Sequence, residues 1–72
     1  MTLEALSREY QISGQACKQR VRELEAALRE PGITETQRLI LRRRITVLTG
    51  MARDAIATGR YLQNSYKREG SV

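Results

Sequence analysis

The 72-residue sequence predicts an all-α protein, two long helices folded back on each other as an antiparallel hairpin. Three observations carry that expectation. Arg, Glu, Leu, Ala and Gln dominate the composition, all residues that favour helix, and no alternating run of β-branched residues suggests a strand. A single strong punctuation mark, Pro31-Gly32, interrupts the chain. On both sides of it, apolar residues recur every three or four positions, the period of a helix.

The first helix is expected from about residue 3 to about residue 30. Thr2 suits its N-cap, and Glu4 places negative charge in its first turn, where the helix dipole favours it. Leu3, Leu6, Tyr10, Cys17, Val21, Leu24 and Leu28 fall within an arc of about 60° on the helical wheel, a stripe narrow enough for one neighbouring helix.

Pro31-Gly32 then favours a turn. Thr34 followed three residues later by Gln37 has the spacing of a capping box, so the second helix is expected to run from about residue 34 to about residue 68. Gly70 would end it, leaving residues 69–72 as a frayed tail. A connection this short makes the two helices antiparallel neighbours in one domain spanning residues 1–72.

The second helix is apolar over a wider arc. Leu41, Ile45, Leu48, Ala52, Ala55, Gly59, Leu62 and Tyr66 alternate in steps of four and three, the coiled-coil rhythm. Ile40, Val47, Met51 and Ala57 lie beside them, and the whole arc spans about 160°, more than one companion helix covers. The expectation is therefore a homo-oligomer, a dimer first of all, in which Ile40, Leu41, Val47, Leu48, Met51, Ala52, Ala55, Gly59 and Leu62 form the interface of a four-helix bundle. The small residues Ala52, Ala55 and Gly59 would let two backbones approach closely at one end. The competing reading is that they leave that end loosely packed, since each buries little apolar area. Gly50 costs about 1 kcal/mol relative to alanine within a helix and marks a candidate bend.

Charge is distributed unevenly. Residues 1–32 carry five basic and five acidic side chains, whereas residues 33–68 carry eight basic and two acidic ones, seven of the eight being arginine. The net charge of +5 thus belongs to the second helix. Arg38, Arg42, Arg53, Arg60 and Lys67 fall within about 60° of one another on the wheel, a basic stripe along the helix. Such a stripe fits contact with nucleic-acid phosphates or an acidic protein. It equally fits a solvated face partly paired with Glu9, Glu23, Glu25 and Glu30.

Nothing in the sequence assembles a catalytic centre, and no enzymatic activity is expected. There is no histidine for general acid–base work, the carboxylates of the first helix are interleaved with arginines, and the glycines form no phosphate-cradling loop. One cysteine and no histidine make a metal site unexpected, and no cofactor or small-molecule substrate is implied. Cys17 sits on the apolar stripe and reads as a small buried residue. Tyr61 projects off the main apolar face, where it suits a rim contact or stacking on a base. The longest apolar runs, such as Leu39-Ile40-Leu41, are three residues, against roughly 20 for a membrane span. With no apolar leader in the first ten residues, a soluble cytoplasmic protein is expected.

Two resemblances accompany these readings. The segment from Leu6 to Val21, with Tyr10 ending a short helix, Ile12-Ser13 as a turn and Gln15, Lys18 and Arg20 in the next helix, resembles the helix-turn-helix of bacterial DNA-binding proteins. That resemblance implies a small DNA-binding regulator, the alternative to an assembly protein. Gln11 stands where that family usually has glycine, however, and the stripe Leu3, Tyr10, Cys17 and Leu24 continues through the would-be turn. The whole chain resembles small Arg- and Leu-rich helical proteins of Gram-positive prophages and conjugative elements. The shared features are Arg20-Val21-Arg22-Glu23-Leu24, the stretch from Leu41 to Leu48 with its three arginines, and the tyrosine-bearing end from Tyr61 to Tyr66. This second resemblance implies a helical hairpin and no particular activity.

Overall fold

The computed structural model describes residues 1–70, with side chains described through Lys67. Two helices account for nearly all of them, α1 (Leu3–Leu28) and α2 (Glu35–Gly70), packed against each other as a hairpin measuring 59 × 16 × 13 Å.

Each helix begins where the sequence supplies a cap. Thr2 is extended (φ −80°, ψ 159°), and its hydroxyl accepts the Ala5 amide at 3.0 Å. At the start of α2 the capping box is complete. The Thr34 amide donates to Gln37 Oε1 at 2.9 Å, and the Gln37 amide donates to Thr34 Oγ1 at 3.1 Å.

The ends differ slightly from expectation. Helix α1 stops at Leu28, two residues before the expected Glu30, through a tightened turn in which the Arg29 and Glu30 amides donate to the Ala26 and Ala27 carbonyls. Pro31 explains the early stop, because its ring disfavours helical backbone at the residue before it. Gly32 then adopts φ +81°, the left-handed conformation that glycine reaches without steric cost. Helix α2 passes through Gly50 and includes residues 69 and 70, so the first half of the expected tail is helical; residues 71 and 72 lie outside the described residues.

Helix α1 is unbroken across Gln11, Ile12 and Ser13, which corrects the helix-turn-helix reading of residues 6–21. Its amide ladder continues where that motif needs a turn, and Ile12, the would-be turn residue, is simply an exposed side chain on the outer face.

The helices meet along two matching four-three rows. On α2 the row Leu41, Ile45, Leu48, Ala52, Ala55, Gly59, Leu62 and Tyr66 is buried or half-buried throughout. On α1 the row is Leu3, Ser7, Tyr10, Gly14, Cys17, Val21, Leu24 and Leu28, so two small residues, Ser7 and Gly14, complete the expected apolar stripe. Both are buried. A methyl group on Gly14 would sit 2.6 Å from Ile56 Cγ1 and 3.3 Å from the Ala52 carbonyl oxygen. One on Gly59 would sit 2.7 Å from Gln11 Cγ and 3.1 Å from the Ser7 carbonyl oxygen. The small residues therefore mark close backbone approach, and the loose-packing alternative is set aside. The Ser7 hydroxyl uses that proximity to donate to the Gly59 carbonyl at 2.7 Å.

The resulting core is thin. Among the described residues, only Leu24 and Ala52 are buried hydrophobic side chains; the large apolar residues elsewhere on the seam stay half-exposed at its margins. Two helices side by side enclose few large side chains on all sides, so most of the large seam residues keep one edge open to solvent.

Candidate functional site

Packing on α1 divides the surface of α2 into two long strips, one on each side of the seam. Each lies roughly 90–100° around the helix from the centre of the seam, so they face nearly opposite directions.

The first strip is apolar. Ile40, Val47 and Met51 fall within about 40° of one another on the wheel, and all three are at least half exposed, Val47 the most so at 60%. Two shallow grooves connect this strip to α1. Near the loop, Ile40 and Leu41 line one of them with Ala27, Ile33 and Gln37. Further along, Val47 and Leu48 line the other with Arg20, Arg43 and Arg44. The arginine triplet is thus split by direction. Arg43 and Arg44 border the apolar strip, whereas Arg42 belongs to the opposite side.

The second strip is basic. Its centre is a groove of about 640 Å³ along the line where the helices meet, with Lys18 and Arg22 contributed by α1 and Arg53 and Arg60 by α2. Val21, Ala52, Ile56 and Ala57 form its apolar lining, Thr49 adds a hydroxyl, and Glu25 is the one carboxylate. Arginine and lysine stems can lie along such a lining while their charged heads stay at the rim.

Among the described residues, Arg38, Arg42, Arg53 and Arg60 have no carboxylate within salt-bridge distance. Two ion pairs, Arg8–Glu4 at 3.1 Å and Arg20–Glu23 at 2.9 Å, lie within α1 and are exposed. Within one hairpin, then, these four arginines are not paired with Glu9, Glu23, Glu25 or Glu30, while the exposure of Arg42, Arg53 and Arg60 is compatible with a solvated face as well as with a bound partner.

The expected self-association surface divides accordingly. Ile40, Val47 and Met51 remain open to a second chain. Ala52 and Gly59 do not, because they are buried against α1 inside a single hairpin. Leu41, Leu48, Ala55 and Leu62 occupy the same seam row and are half-buried by it. The physical reason is that the narrowest part of α2 fits the narrowest part of α1, and the close approach those residues permit is already used within the chain.

The basic row Arg38, Arg42, Arg53, Arg60 and Lys67 stays on one side of α2, as the wheel indicates, with Arg38 half-buried and the others exposed. Lys18 and Arg22, which the sequence reading did not select, join it from the other helix. The signal for them was faint: on α1 they sit among four carboxylates, Glu4, Glu9, Glu23 and Glu25, and only the hairpin's register aligns them with Arg53 and Arg60.

Cys17 is half-buried on the seam, and Tyr61 is exposed away from both helix contacts. Among the described residues there is no cluster of three potential metal ligands, and no helix is long and apolar enough to cross a membrane. No protein-family model, curated protein or solved structure matches the chain.

Proposed function

We propose that the chain is a non-enzymatic assembly protein that self-associates through the Ile40, Val47, Met51 strip of α2, two hairpins forming a four-helix bundle in the cytoplasm. The observation that carries this reading is the exposure of Ile40, Val47 and Met51 along one side of an unbroken helix, and the total surface area is in keeping with it. A compact monomer of 8.2 kDa exposes about 4,500 Å², whereas this chain exposes 5634 Å². The excess, roughly 1,100 Å², is comparable to the ~800 Å² that each partner buries in a stable interface.

The strip is also self-complementary. Arg43, Val47, Gly50 and Asp54 follow one another along its edge, with Arg43 and Asp54 equally far from the midpoint between Val47 and Gly50. A second copy crossing antiparallel about that midpoint sets Arg43 of each chain opposite Asp54 of the other, as a twofold interface requires. Gly50 has nothing within 4 Å of where its Cβ would be, which leaves room for the crossing.

The test is to place charge on the strip. Sedimentation of a Val47→Glu, Met51→Glu variant should give the single-chain mass at concentrations where the native chain is larger. Ile12→Glu, equally exposed but on the outer face of α1, should leave the mass unchanged. Equal effects of both, or of neither, would remove this reading.

A further inference from the structure

We propose that the groove lined by Lys18, Arg22, Arg53 and Arg60 binds the phosphodiester backbone of duplex nucleic acid. Four cations from two helices converge there around one carboxylate, Glu25, and Arg53 and Arg60 have no carboxylate within salt-bridge distance. Three of the four are arginines, whose planar fork matches a phosphate oxygen pair.

The wider layout fits a long, straight, regularly charged partner. Arg38, Arg42, Arg53 and Arg60 lie on one side of an unbroken helix, and the first and last are ~33 Å apart at 1.5 Å per residue. That is about one turn of B-form duplex. A rigid row of this length suits a rod carrying a charge every ~1.7 Å better than a folded acidic protein whose carboxylates are irregularly spaced.

The lining argues against two other modes of nucleic-acid reading. No aromatic side chain lines it, so it offers no platform on which the bases of a single strand could stack. No Asn or Gln lines it either, so the bidentate amide contact that selects adenine is missing. The cations suit contact with the phosphates, supplemented by the Thr49 hydroxyl, and an arginine fork can add a guanine contact in the major groove. The groove faces away from the apolar strip, so pairing of two hairpins leaves it open and doubles it.

The test uses the full chain and a fluorescein-labelled random-sequence duplex of about one and a half turns or more, followed by anisotropy from low to physiological salt. Binding is expected, with a log–log salt slope of roughly −3 to −4 per chain for four phosphate contacts. Arg53→Gln with Arg60→Gln should weaken binding at least ~10-fold and flatten the slope by about 2. Lys18→Gln with Arg22→Gln should do the same. The charge-matched pair Arg8→Gln with Arg20→Gln, on α1 outside the groove, should stay within about 3-fold. Glutamine favours helix and all six positions are exposed, so the variants keep their fold, which circular dichroism verifies.

Four outcomes would overturn the proposal. They are no duplex binding at low salt, equal weakening by the Arg8 and Arg20 pair, tighter binding of a single strand than of the duplex, and displacement of the duplex by polyglutamate at equal charge. The last would assign the groove to an acidic protein instead.

Discussion

The Ser7 hydroxyl donates to the Gly59 carbonyl at 2.7 Å in the buried interior of the hairpin, across 52 residues of sequence. Gln11 Nε2 in turn donates to the Ser7 oxygen at 3.1 Å. The contact exists because Gly59 has no side chain to hold the helices apart, and it fixes the register that brings Lys18 and Arg22 alongside Arg53 and Arg60.

Ser7→Ala removes both hydrogen bonds and changes little in volume. The Gly59 carbonyl can still accept its own helical amide, so the expected loss is about 0.5–1.5 kcal/mol, measured by urea unfolding at fixed protein concentration. Ser7→Val, which adds bulk at the closest approach, should cost more than Ser7→Ala.

The glycines should separate by position. Gly14→Ala improves helix propensity but meets Ile56 and the Ala52 backbone, so it should destabilise by about 1–3 kcal/mol. Within one hairpin a methyl group at Gly50 meets nothing, so at concentrations too low for self-association Gly50→Ala should stabilise by up to about 1 kcal/mol. Thermal melts of the two variants at equal, low concentration should therefore shift in opposite directions.

Among the described residues, Leu24 is the one large apolar side chain buried by the hairpin, at 5% exposure. Leu24→Ala should cost about 2–5 kcal/mol, while Ile12→Ala on the exposed outer face should change stability by no more than ~0.5 kcal/mol. A thin core makes the first loss severe, because few other contacts can compensate.

The antiparallel crossing of α2 can be read from a charge exchange. Arg43→Asp alone and Asp54→Arg alone should each weaken self-association through like-charge contact across the twofold axis. The double exchange should restore it. If the double variant is as weak as the two single changes combined, the helices do not cross about the Val47–Gly50 midpoint.

The fold was legible because its determinants are local. Pro31-Gly32, the Thr34 and Gln37 box and the four-three row of α2 each specify backbone conformation without knowledge of the partner helix. Ser7 and Gly14 were overlooked since a search for large apolar residues passes over a hydroxyl and a hydrogen, although both fall at the four-three positions. The interface residues were only partly legible for a related reason. Periodicity shows that Ala52 and Gly59 face a helix; which helix depends on the fit of small residues across the seam, and that fit is tertiary. The basic row on α2 was visible from spacing alone, whereas the contribution of Lys18 and Arg22 depends on register and could be seen only once the hairpin was closed.

Light scattering of the native chain at tens of micromolar, coupled to size exclusion in moderate salt, weighs the particle without assuming its shape. Self-association through the apolar strip of α2 requires a mass at least twice the chain's 8.2 kDa. A stable, helical particle of the single-chain mass at that concentration would show that the hairpin tolerates its exposed Ile40, Val47 and Met51 alone.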